Sequence, residues 1–395
     1  MIAPFRIARI PRIEFGSGSL AGLPQAAARH GHRALLVTGA RSLQAAPAWG
    51  RLQAGLDDAG IRYAHLTVAG EPSPQMVDAA VRRYHPAGME VVVAIGGGSV
   101  LDAGKAIAGL LPSGDSVMDY LEGVGPEKPY QGPAVPFIAV PTTAGTGSEA
   151  TKNAVLSIQG EGGFKKSFRD EQLVPELALV DPDLLATCPP GQIAANGMDA
   201  LTQLIESCVS TGASRMSGAL ALDGIRAARD SLLVFHDDPA GAAGAREGMA
   251  YAALVSGITL AQTGLGSVHG LASPLGAWFP IPHGVVCGAL MATATRINIR
   301  ALRERDPQNP ALETYARIGE ILHQKSIPDR EQAADLLVEL LEEWTRYLRI
   351  PALGQFGIGQ RDFASIVAGS RGSSMKTNPI VLCDAEIGEI LEHCL

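Results

Sequence analysis

Residues Val91–Ile95 read VVVAI, an unbroken run of small and β-branched side chains with no polar position in it. A strand with one wet face alternates apolar and polar residues, whereas an unbroken run fits a strand buried on both faces of a parallel sheet. Arg33–Gly39 and Tyr63–Val68 are two further strand-like stretches. Helical spacing of apolar residues at Trp49–Ala59 and Gln75–His85 separates the three. The order β-α-β-α-β, with helix-length connections, predicts a parallel sheet covered on both sides. Residues 1–20 predict a short β segment before this unit, from the alternation at Arg6-Ile7 and Ile13-Glu14-Phe15. After it, the Pro- and Gly-rich stretch 112–136 predicts a loop excursion, and Phe137–Pro141 another short buried strand. From Pro189 the β-branched runs stop. Ala-, Leu- and Met-rich segments with helical spacing take over at 191–210, 214–234, 244–262, 284–299, 311–324 and 330–348, and 372–395 predicts a loop with a final helix. This change places a domain boundary near residue 188. The expected architecture is an α/β N-terminal domain over 1–188, built on a parallel sheet, and an all-α C-terminal domain over 189–395.

Composition narrows the function classes. With 46% hydrophobic and 18% charged residues, the 395-residue chain can bury two large cores and is too apolar for disorder. Net charge is −8 and there is no basic tract, which excludes nucleic acid and anionic membrane surfaces as expected partners. No run approaches the ~18 apolar residues of a membrane span. Arg6, Arg9 and Arg12 interrupt the first twenty residues, so no signal-peptide core is expected there. Five scattered cysteines (188, 208, 287, 383 and 394) without a CxxC pair fit reduced thiols in a cytoplasmic protein.

Candidate chemistry begins where the central strand ends. Gly96, Gly97 and Gly98 lead into Ser99, with Asp102 three residues on. This reads as a tight turn into a helix, Ser99 being the expected N-cap and Asp102 a first-turn acid. Such a turn lets a ligand approach the backbone and offers free N–H groups to a phosphate. It also occurs as an ordinary βα turn. It is not a P-loop, because five residues separate Gly98 from Gly104 and Ala106 stands where Ser or Thr is needed. The strand at 137–141 ends in a second small-residue loop, Thr142 to Glu149, rich in hydroxyls. In the helical half, Asp199 and Gln203 are four residues apart on one helix face, while His269 and His283 lie fourteen apart. One carboxylate and two imidazoles suit Fe²⁺ or Zn²⁺. Taken singly, each also fits a bland role: a helix-terminal acid, a surface amide, a satisfied core histidine.

In order along the chain stand GGGSxxDxGK (96–105), PTTAGTGSEAT (141–151), DPDL (181–184), GMDAL (197–201) and H-x(13)-H-G (269–284). Together they resemble the iron-containing (group III) alcohol dehydrogenase family over nearly the whole length. The resemblance implies a Rossmann-like nucleotide-binding domain, a helical domain and an active site in the cleft between. It implies an NAD(P)-dependent alcohol dehydrogenase, or aldehyde or ketone reductase, acting on a small alcohol or aldehyde as a homodimer or larger homo-oligomer. Carried onto this chain, it assigns Gly97, Gly98 and Ser99, with Asp102, to the cofactor pyrophosphate. Thr142, Thr143 and Thr146 are assigned to the adenine nucleotide half, and Lys165 to the nicotinamide ribose. Asn153 would sit beside the substrate, with His269 and His283 catalytic. The metal ligands would be Asp199, Gln203, His269 and His283.

Two positions depart from the family pattern. Gln203 replaces a ligand histidine, and Ser273 stands where many members have a second cleft histidine. A glutamine carbonyl suits a borderline divalent ion less well than imidazole, so weaker metal binding is expected. Two alternatives follow: a metal-independent oxo-acid reductase like the maleylacetate reductases, and a catalytically silent dinucleotide-binding protein. At the end of the strand 33–38, where NAD-using relatives carry an aspartate against the ribose 2′-hydroxyl, this chain has Gly39 with Arg41 and Ser42 following. The missing carboxylate points toward NADP(H).

Overall fold

The computed structural model describes residues 3–160 and 162–395. Its strands are Arg12–Phe15 (β1), Arg33–Gly39 (β2), Arg62–Val68 (β3), Val91–Gly96 (β4), Phe137–Pro141 (β5), Asn153–Ile158 (β6), Phe164–Arg169 (β7) and Leu177–Val180 (β8). Six of them form one parallel sheet in the order β1-β8-β5-β4-β2-β3, with β4 paired between β2 and β5. Alternate side chains leave this sheet on opposite faces. Leu35, Val37, Val92 and Ala94 pack on one side against Pro74–Tyr84 (α3) and Gly98–Leu110 (α4), which supply Val77, Val81 and Ile107. Leu36, Val93 and Ile95 pack on the other against Leu23–Ala28 (α1) and Pro47–Asp58 (α2), through Leu23, Leu52 and Leu56. Each fully buried aliphatic side chain contributes about 1.5–3 kcal/mol over its exposed state. The expected two-sided burial of β4 is therefore what the sheet shows.

The N-terminal segment departs from expectation. Only Arg12–Phe15 is a strand, and it is paired: β1 runs parallel to β8 from Arg12↔Leu177 to Phe15↔Val180. It forms one sheet edge and leaves Ile13 and Phe15 exposed. The first two residues of the expected β segment lie outside the described ones. The antiparallel β6–β7 hairpin, with Asn153 opposite Arg169, stands apart from the main sheet.

Beyond β8 all regular structure is helical: Pro190–Val209 (α5), Arg215–Asp237 (α6), Ala243–Thr263 (α7), Ser267–Trp278 (α8), His283–Arg305 (α9), Pro310–His323 (α10), Arg330–Tyr347 (α11), Phe363–Gly369 (α12) and Asp384–His393 (α13). α5 is the hub. It packs on α6, α7 and α9, and from Met198 to Val209 every residue is buried. Among the described residues α9 has the length and apolar content of a membrane span, but 83% of that stretch is buried inside the protein. A helix enclosed by its neighbours in this way is a core helix.

Candidate active site

A cavity of about 1090 Å³ runs from the glycine turn at the end of β4 to the polar stripe on α5. Gly97, Gly98, Ser99, Asp102, Thr143, Thr146, Asn153, Lys165, Asp199, Gln203, His269 and His283 all line it. Gly39 and Thr142 are not among its lining residues. Gly39 ends β2 and accepts a hydrogen bond from the Gln44 amide, while the Thr142 N–H donates to the Gly96 carbonyl.

The glycine turn differs from its expected form by two residues. α4 begins at Gly98, so the N-cap is Gly97 and Ser99 lies inside the first turn. A glycine cap offers no side-chain oxygen to the first-turn amides, which leaves them to a ligand. Gly98 is needed for a further reason: a Cβ there would lie 2.7 Å from Thr146 Cγ2, so the threonine loop packs directly on the turn. Beyond it Gly147 adopts φ +60°, and its backbone lies against that of Gly257 on α7. Asp102 is not a first-turn acid. Its carboxylate accepts from Ser148 Oγ at 2.6 Å, and burial raises its pKa against the pull of Lys105.

Lys105 is fully buried and ties the loop to α4. Its Nζ donates to the carbonyls of Ser148 and Asn153, both at 2.7 Å, and to Thr151 Oγ1 at 3.0 Å. Burial pushes its pKa down to about 8, with Asp102 and Glu149 opposing. Asn153 is thereby fixed at its backbone while its residue faces the cavity. Lys165, on the hairpin, donates to Glu71 Oε1 at 2.6 Å, and Ser157 Oγ holds the other Glu71 oxygen at the same distance. Glu71 lines the cavity too. No sequence spacing connects it to Lys165, 94 positions away.

At the deep end three helices bring their polar residues together. His269 Nε2 lies 3.3 Å and His283 Nε2 3.7 Å from Asp199 Oδ1. Burial opposes charge on Asp199, but His283 and His269 outweigh it and hold its pKa at about 2. Burial drives His283 down to about 4. His269 is pushed well above its ordinary value: burial acts against its charge, and the groups around it, among them Asp199 and Glu206, overcome it. Glu206, also on α5, holds His269 Nδ1 at 2.7 Å and the Val268 N–H at 2.8 Å. Gln203 turns its amide nitrogen to Asp199 Oδ1 at 3.1 Å, while its oxygen accepts from Ser256 Oγ at 2.8 Å.

Glu206 and Cys287 escaped the sequence reading. Both carried a signal, since Glu206 continues the 199–203 stripe and Cys287 follows His283 by one helical turn. Asp199, His269, His283 and Cys287 each offer one donor atom, all within 4.8 Å of one another. A carboxylate, two imidazoles and a thiol in that radius fit a divalent transition metal.

Comparison with known proteins agrees. The family model for iron-containing alcohol dehydrogenase matches residues 11–182, and that for the C-terminal part of the Fe-containing family matches 193–395. Alcohol dehydrogenase 4 of Saccharomyces cerevisiae is 32% identical over 390 residues, covering 97% of each chain. The NAD-dependent methanol dehydrogenase of Bacillus methanolicus is 30% identical over 349 residues, covering 85% of this chain and 86% of that one. Among solved structures, an archaeal halo-thermophilic alcohol dehydrogenase from a Red Sea brine pool superposes with a TM-score of 0.90 at 27% identity, covering 100% of this chain and 99% of that one. The fold, the motif order and the cavity chemistry converge: this chain belongs to the iron-containing alcohol dehydrogenase family, oxidoreductases acting on CH–OH groups.

Proposed function

We propose that this protein transfers hydride reversibly between a nicotinamide dinucleotide and a small alcohol and its aldehyde or ketone, in the cleft between a domain ending near residue 188 and the helical domain after it. The observation that carries this reading is the single cavity joining the glycine turn of α4 to the Asp199–His269–His283 cluster. The pyrophosphate would lie at Gly97, Gly98 and Ser99, and a divalent ion, Fe²⁺ or Zn²⁺, among Asp199, His269 and His283 with Gln203 beside them. When bound, the dinucleotide supplies the hydride and the ion polarises the substrate oxygen.

The chain's own residues prepare that chemistry. Asp199 is ionised and His283 neutral, the forms in which each offers an electron pair to a cation. Glu206 engages Nδ1 of His269, so that Nε2 is the ring atom facing Asp199. Leu260, Leu265, Ile281 and Val285 give the cavity an apolar side, which keeps water from competing for a reacting carbonyl. The Lys165–Glu71 pair sets a charged contact on its wall where a ribose hydroxyl can hydrogen-bond.

Chelation tests the reading. Prolonged treatment with a strong chelator is expected to remove turnover of short alcohols and aldehydes, and Fe²⁺ or Zn²⁺ to restore it, with elemental analysis following both steps. Full activity in metal-free protein would instead deny the ion a catalytic role and make the metal-independent reductase the better reading.

For the cofactor we propose that NADP(H) is accepted at least as well as NAD(H). Arg41 follows Gly39 closely, is exposed, and makes no ion pair among the described residues, so its guanidinium is available to a 2′-phosphate. The ratio of kcat/KM for NADPH to that for NADH is expected to be one or more; a ratio far below one rejects this preference.

A further inference from the structure

We propose that the thiolate of Cys287, rather than the Gln203 amide, is the fourth protein ligand of the divalent ion. The inference rests on the metal-assisted reaction proposed above, and it assigns a residue which that reading does not use.

Gln203 is committed elsewhere. Its nitrogen faces Asp199 and its oxygen is held by the Ser256 hydroxyl, so the amide serves to orient the carboxylate. Cys287 lies on α9 one turn after His283, and its Sγ sits 3.7 Å from His269 Nε2 and 3.8 Å from His283 Nε2. A tetrahedral zinc site with bonds of about 2.0–2.1 Å to nitrogen and about 2.3 Å to sulfur has ligand–ligand edges of about 3.4 Å between N or O atoms and about 3.6 Å between N and S. The cluster presents edges of 3.3 and 3.7 Å from Asp199 to the two imidazoles, and 3.7 and 3.8 Å from them to sulfur. Four of the six edges thus already match a tetrahedral sphere, and all four donors, on three helices, lie within 4.8 Å of one another.

Two consequences follow. Coordination replaces the S–H bond by a sulfur–metal bond and the thiol proton leaves to solvent, as does the proton that His269 Nε2 must give up to bind the ion. A set of two nitrogens, one oxygen and one sulfur in this geometry also favours Zn²⁺ over Fe²⁺, because thiolate is the softer donor.

The test uses the whole protein, stripped of metal and reloaded with Co²⁺ or Zn²⁺ under anaerobic conditions. The cobalt form is expected to show a thiolate-to-metal charge-transfer absorption in the near ultraviolet. X-ray absorption of the zinc form is expected to show one sulfur at about 2.3 Å. Cys287→Ser should abolish the charge-transfer band and weaken the metal by at least about tenfold, since even outer-sphere partners are worth about that much. Gln203→Ala should keep the band. A metal bound by the wild-type protein with no sulfur neighbour overturns the role of Cys287 and leaves the metal-assisted reaction standing. A protein that takes up neither ion overturns both. The absorption experiments on the wild-type protein decide the matter even if Cys287→Ser does not fold.

Discussion

His269→Ala is expected to lower kcat by about 10³-fold or more, the equivalent of losing roughly 4 kcal/mol of transition-state stabilisation. The same substitution should leave the protein without bound metal. His269 stands between two carboxylates, with Nε2 toward Asp199 and Nδ1 on Glu206. Its removal takes away a ligand of the ion and, in the metal-free protein, the counter-charge of two buried acids. Breaking a buried ion pair in this way costs about 3–5 kcal/mol. Metal content, kcat and the thermal midpoint should therefore fall together. Retention of full turnover would separate the imidazole from the chemistry altogether.

Lys105→Met is expected to do its damage in stability. The side chain is fully buried, and its ammonium donates to two carbonyls and two hydroxyls of the segment Ser148–Asn153. Methionine keeps most of the volume and none of the donors. Each buried acceptor left unmet costs about 1–3 kcal/mol, and Asp102 and Glu149 lose their nearest positive charge. A loss of about 3–5 kcal/mol is expected, read as a lower urea midpoint. The cofactor KM should rise with it, because the same segment carries Asn153 and adjoins Thr146. A midpoint within error of the parent would show that the loop is held by other means.

The sheet was largely legible from the sequence because two of its inner strands have the uninterrupted apolar runs Ala34–Val37 and Val91–Ile95. Leu177–Val180 was not. Four residues between Glu176 and Asp181 are too few to carry a period, and the strand exists because β1 and β5 flank it. Neither strand of the β6–β7 hairpin was read from the sequence, the second being hidden by Lys165 and Lys166. Helix α8 was masked by Gly270, Pro274 and Gly276, residues that weaken an isolated helix. They are tolerated here because close packing rewards small side chains: a Cβ on Gly270 would come within 3.1 Å of the Ser370 carbonyl.

The site divides in the same way. Asp199, His269 and His283 were visible as residue types in motif order, and the fold brings their donor atoms together. The shift of the helix cap from Ser99 to Gly97 lies within the freedom of one or two residues at any helix start. Glu206 and Cys287 fall on the helical periods of Asp199 and His283, but that period does not say which faces meet, and Glu71 comes from a loop that no period reaches.

The contact between Gly147 and Gly257 bears on how the cleft can move. Backbone touches backbone there, with the Gly147 carbonyl so close that a Cβ on Gly257 would lie 2.1 Å from its oxygen. No flexible side chain stands between the loop after β5 and helix α7 to act as a bearing. Sliding of one half over the other is blocked at that point, while tilting about it is not. That contact is then a fixed point about which any opening of the cleft must turn, and a side chain at either glycine would force the loop and the helix apart.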